Sequence, residues 1–167
     1  MANVTSSLIG VDLSGVGGST QLFALGTPCL GTGASEWAYV EATSTFVTGE
    51  IVIINGYGTA KTLISSALTG VAGGYDLGFC QNVINQGEFG WVAKRGHDLY
   101  VLVTGTLTAG SDSGLALGAN SGRVVAGTAA GNTIFGLWLL ESVSASGERS
   151  AAKAVMQWPR LNGVPLG

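Results

Sequence analysis

The sequence predicts an all-β fold of short antiparallel strands with an extended N-terminal arm. Three observations carry that expectation. Apolar residues make up 46% of the 167-residue chain, yet the aliphatic runs are short and cut by Gly, Thr and Ser. Glycine is abundant at 28 residues and proline scarce at three, a composition that suits many short strands and turns better than a helix bundle. Two aliphatic runs also meet at Asn55-Gly56, a dipeptide that tolerates positive φ at both central positions of a hairpin turn.

The elements follow in order. Residues 1–20 are rich in Gly and Ser, with Val4, Leu8, Ile9, Val11 and Leu13 scattered among them at no sustained period. Alone, such a segment cannot bury enough apolar surface to offset its ordering entropy. It can do so along a partner's sheet edge, which makes those five side chains the candidate partner-binding residues. A frayed terminus is the alternative. Residues 21–167 are read as a single β domain. "TQLFALGTPCLG", 20–31, reads as a strand ended by Gly-Thr-Pro. "SEWAYVEAT", 35–43, alternates Trp37, Tyr39 and Glu41 with Ala38, Val40 and Ala42, the pattern of a half-exposed strand. "GEIVIINGYGTAKTLIS", 49–65, is a type I′ hairpin candidate. "SSALTGVAGG" fits a helical turn or a loop.

Three strands are expected near 77–84, 88–94 and 98–107, joined by turns at Asn85-Gln86-Gly87 and Arg95-Gly96-His97. Lys94, Arg95, His97 and Asp98 would then mark a solvated hairpin tip. "LALGANSGRVVAGTAAGNT" gives two short strands with glycine breaks. "IFGLWLLESV", 134–143, and "AAKAVMQWPRL", 151–161, flank a polar loop and suggest a last hairpin. The Ala-rich half fits a helix as well, and Pro159 would end either version.

Charged residues are only 10% of the chain, against about 25% in an ordinary soluble domain. Residues 1–35 carry one charged side chain, Asp12, and residues 99–122 one, Asp112. Such bare stretches point to an exterior covered in part by other protein, although a coat of Ser, Thr and Gly is also soluble. The net charge is −3 and the basic residues cluster only at Lys94-Arg95, which argues against nucleic acid as a partner. No apolar run approaches the roughly 20 residues of a membrane span. The N-terminus has no signal-peptide pattern, so folding in a cytoplasm is expected.

Chemistry is sparse. Cys29 and Cys80 match no metal spacing and are expected as buried, reduced thiols. His97, the one histidine, lies beside Asp98, which invites a triad with Ser111 or Ser113. Adjacent residues of a regular strand point to opposite faces, so the two are not expected to orient each other. No GxSxG elbow, phosphate loop or dinucleotide fingerprint is present. The expectation is a non-enzyme without cofactor or metal.

"EIVIINGYGTAKTL", "SALTGVAG", "LGFCQNVI", "GEFGWVAKRG" and "LYVLVTGTLTAGSDSGLAL" occur in an order that resembles the capsid cement, or head decoration, proteins of tailed bacteriophages. The resemblance covers roughly residues 22–140. It implies a β-sandwich or β-tulip-like barrel on the capsid exterior of a virion, made in the host cytoplasm. It also implies a homotrimer whose partner is the major capsid protein. Another virion part, such as a head fibre or tail protein, is an alternative. So is a carbohydrate-binding β-sandwich that uses Trp37, Tyr39, Tyr57 or Trp91 as stacking platforms.

Overall fold

The computed structural model describes residues 12–13, 15–63, 76–110, 115–118, 122–127, 133–144 and 150–161. The protein is all-β. Its strands are β1 (Pro28–Leu30), β2 (Glu36–Ala42), β3 (Ile51–Ile54), β4 (Thr59–Thr62), β5 (Asp76–Cys80) and β6 (Phe89–Val103). They continue as β7 (Thr106–Leu107), β8 (Leu115–Leu117), β9 (Val124–Ala126), β10 (Ile134–Leu139), β11 (Val143–Ser144) and β12 (Ser150–Leu161). A 3-10 turn at Thr32–Ala34 joins the first two strands.

The ladder closes on itself. β2 pairs with β4, β4 with β3, β3 with β5, β5 with β6, and β6 returns to β2. The ring encloses a small core of Ala38, Val40, Ala42, Val52, Ile54, Ala60, Cys80 and Val92 with Phe46 and Ile84. β6 then runs on into a second sheet, with β12 and β10 on one side of it and β9 and β8 on the other. A larger core, including Phe79, Trp91, Val101, Leu137 and Met156, joins this sheet to the outside of the ring. Most pairs are antiparallel, but β2–β4 and β6–β9 are parallel.

This arrangement corrects several sequence expectations. β2 is not half exposed. Ala38, Val40 and Ala42 fill the ring while Trp37 and Tyr39 enter the larger core, so both faces are buried. The 20–31 strand shrinks to Pro28–Leu30, because Thr27 closes a turn on the Ala24 carbonyl and the Gly26 amide bonds to Tyr39. Phe23 and Leu25 still pack on the core from that loop.

The 49–65 hairpin forms, but its turn is not type I′. Positive φ occurs at Gly58, at 78°, and not at Asn55 or Gly56. The Gly58 amide bonds to the Asn55 carbonyl, and the Asn55 side-chain oxygen accepts from the amides of Tyr57 and Thr59. Asn55 thus opens a longer turn that Gly58 closes.

The Arg95-Gly96-His97 turn is absent, and the 15-residue β6 passes straight through it. Tertiary pairing overrides the glycine there: Arg95 lies opposite Glu36 of β2 on one side and Gln157 of β12 on the other. The chain accommodates Gly96, at φ 155°, and Asp98, at φ 58°, as a bulge opposite the Ala154–Met156 stretch. Lys94, Arg95, His97 and Asp98 therefore sit mid-strand and not at a hairpin tip. The last hairpin forms between β10 and β12, with the Ala-rich half as strand. Pro159 does not end it. It falls in a second bulge, where a missing amide costs no ladder bond, and β12 continues to Leu161.

Within the expected arm, Val4, Leu8, Ile9 and Val11 lie outside the described residues, as do "SSALTGVAGG", Ser111 and Ser113. The described part of the arm docks on its own chain. The Gly17 and Gly18 amides bond to the carbonyls of Val83 and Phe89, and Leu13 packs against the larger core.

Candidate functional site

A row of side chains crosses four strands. Cross-strand register sets Leu30 of β1 opposite Glu36 of β2, Glu36 opposite Arg95 of β6, and Arg95 opposite Gln157 of β12. Residues opposite one another on neighbouring strands share a face, so the row is contiguous. It reaches Trp158, whose indole nitrogen donates to Glu36 Oε2 at 3.1 Å and whose ring lies 4.6 Å from the Arg95 guanidinium carbon. One tryptophan thereby ties β12 to both β2 and β6.

Trp158 owes its position to the β10–β12 bulge. Phe135 pairs with Arg160 and Leu137 with Met156, so Gln157, Trp158 and Pro159 face the single residue Gly136. The backbone of Trp158 has φ 45° and that of Gly136 φ 76°. A Cβ on Gly136 would lie 2.5 Å from the Gln157 carbonyl oxygen, so only glycine fits opposite the bulge. The indole remains 51% exposed, and Leu30 and Phe135 are exposed nearby. In the structure Ala152, Ala154 and Met156 are buried at even positions, while Pro159 and Leu161 are buried at odd ones, and that parity break marks the irregularity after Met156.

A second cluster lies further along β6. His97 Nδ1 is 2.9 Å from Asp98 Oδ2, and Lys153 Nζ is 3.9 Å from Asp98 Oδ1. The neighbours do orient each other, against expectation, because the positive φ of Asp98 breaks the alternation. The hydrogen bond from His97 holds the Asp98 carboxyl below the usual aspartate range, helped by the charges of His97 and Lys153. Both members of the pair are 60% exposed. Candidate serines 111 and 113 fall outside the described residues.

Of the four aromatics read as stacking platforms, Trp37, Tyr39 and Trp91 are buried. Tyr39 packs edge-on to Phe23 at 5.2 Å and tilted to Trp91 at 5.1 Å, which leaves neither face for a ligand. Tyr57, at the hairpin turn, is 85% exposed. Cys29 and Cys80 are buried in different cores and are not bonded to each other. Burial pushes the Cys80 thiol up to about 12. Among the described residues, no group of three His, Cys, Asp or Glu is placed to hold a metal ion, and no helix is long and apolar enough to cross a membrane.

No protein-family model and no curated protein sequence matches this chain.

Proposed function

We propose that this protein is a structural component of a tailed-phage virion, bound to the outside of the capsid and cementing neighbouring major capsid subunits. One observation carries the reading. Large apolar side chains stand exposed across the described domain, among them Val16, Leu22, Leu30, Tyr57, Val83, Tyr100, Phe135 and Leu140, on a chain only 10% charged. A surface short of charge and dotted with large apolar groups suits a protein covered by neighbours in its working state. The resemblance in order of the strand segments names the neighbour as a major capsid protein. Buried apolar area contributes about 25 cal/mol per Å² before association costs. Repetition of the contact over a shell turns a modest affinity into durable reinforcement.

The arm belongs to this reading. With Leu13 fixed on its own domain, Val4, Leu8, Ile9 and Val11 are the residues offered to a capsid subunit or a sister protomer. His97 and Asp98 act as a surface pair within β6, with no catalytic part. The test is co-sedimentation of the purified protein with undecorated capsids, alongside sedimentation velocity of the protein alone. Saturable binding at one site per capsid three-fold position, by a species of three chain masses, is expected. A protein that stays in the supernatant at every concentration rejects the capsid reading.

A further inference from the structure

We propose that Trp158 is the stacking platform of a carbohydrate site, taking the apolar face of a neutral pyranose on the indole face opposite Arg95 and the sugar hydroxyls on Glu36 and Gln157. The inference neither uses nor needs the capsid reading.

The backbone is the first argument. A bulky residue at φ 45° is an outlier, and such conformations are costly. They persist where the surroundings over-determine them, and they gather at binding sites. Here Gly136 opens the space, Pro159 fixes the next φ, Arg95 stacks on the ring and Glu36 holds the indole N–H. The result is a large aromatic plate held rigid while half exposed. Two other tryptophans, Trp37 and Trp91, are buried, so rigidity with exposure sets Trp158 apart from them.

The surroundings of the plate select the ligand. The centre of a protein interface is depleted in Glu, and its anchors sit in fully desolvated pockets. Trp158 instead touches a carboxylate and a guanidinium, with the exposed side chains of Gln157 and Arg160 beside it in β12. These groups present acceptors and planar donor forks at the rim of an aromatic surface. A pyranose has the matching pair of properties: a face of C–H bonds to lie on the indole and vicinal hydroxyls that both donate and accept. The opposite charges of Glu36 and Arg95 adjoin, which suits a neutral sugar better than an acidic or sulfated one. Trp158 also supplies what the buried Trp37, Tyr39 and Trp91 do not.

The experiment uses the full chain, without capsids, and three probes: cellohexaose, maltohexaose and chitohexaose. Saturation-transfer NMR reads the sugar and tryptophan fluorescence reads the protein. At least one probe is expected to bind in the millimolar range, with transfer strongest at ring C–H protons. Trp158→Ala should weaken it about tenfold, and Trp158→Phe, which keeps a smaller ring and guards against misfolding, should weaken it less. Glu36→Gln should weaken it, and Trp138→Phe should leave it unchanged. The proposal is overturned if none of the three probes gives transfer, or if binding survives Trp158→Ala in a folded protein. Capsid co-sedimentation of the same variants reads the other hypothesis separately, so either can fail alone.

Discussion

Replacing Gly136 by alanine tests whether the β10–β12 bulge is a built feature. The backbone there has φ 76°, where an L-residue costs about 1–2 kcal/mol relative to glycine. The new Cβ would also meet the Gln157 carbonyl oxygen at 2.5 Å. That oxygen belongs to backbone and cannot swing away as a side-chain end would. Relieving the clash means opening the bulge, an overpacking strain of about 1–3 kcal/mol. The sum is about 2–5 kcal/mol, or a fall in melting temperature of about 4–20 °C for a chain of this size. The measure is urea or thermal denaturation, followed by circular dichroism and by tryptophan fluorescence. Gly56→Ala is the control, since no atom lies within 4 Å of its added Cβ and its φ is not positive. It is expected to stay within about 0.5 kcal/mol of the parent. If Gly136→Ala loses less than about 1 kcal/mol, the backbone accommodates the methyl and the reasoning on the bulge is wrong.

Other expectations follow from the same structure. Deletion of residues 2–11 should leave a folded domain, because Leu13 and the Gly17–Gly18 pairing are retained, while capsid co-sedimentation weakens; undiminished binding would move the contact onto the domain. His97→Ala should raise the Asp98 pKa towards the ordinary aspartate value, read by carboxyl NMR, and an unmoved titration would deny the hydrogen bond. The depressed Asp98 pKa contributes stability above the unfolded value that is lost as pH falls through the folded one, so His97→Ala should also flatten stability at the acid end. Cys80 should resist alkylation in the native protein and react after unfolding. Its raised pKa means that the unfolded thiol ionises first, so stability declines as pH climbs from the ordinary thiol range towards about 12. Rapid native labelling of Cys80 would contradict that burial.

Much of the architecture was legible wherever one local rule governed the chain. β2 and the 49–65 hairpin were visible in alternation and in Asn-Gly, and the β10–β12 pairing in two apolar runs around a polar loop. The failures share one physical cause, which is pairing between segments remote in sequence. Nothing near Gly96 reveals that Glu36 and Gln157 will flank Arg95 and hold β6 extended. Nothing near Tyr39 reveals that the other face of β2 will close a ring. Pro159 looks like a terminator in the sequence because a bulge is invisible until its partner Gly136 is known. The Trp158 row was missed for the same reason. Its members come from four strands, and no single segment announces them.

The long β6 has a mechanical consequence. Val92 belongs to the ring core, while Trp91, Ala93, Leu99, Val101 and Val103 belong to the larger one. Neither core can come apart without releasing this strand, so the two are one cooperative unit in hydrogen exchange. Amides at the centre of β6 should exchange only through complete opening, and their slowest rate reports the stability of the molecule. Among the described residues β7 and β11 are joined over two residue pairs, so their amides should exchange before those of β6. A load pulled along β6 would pass into both cores through the same spine.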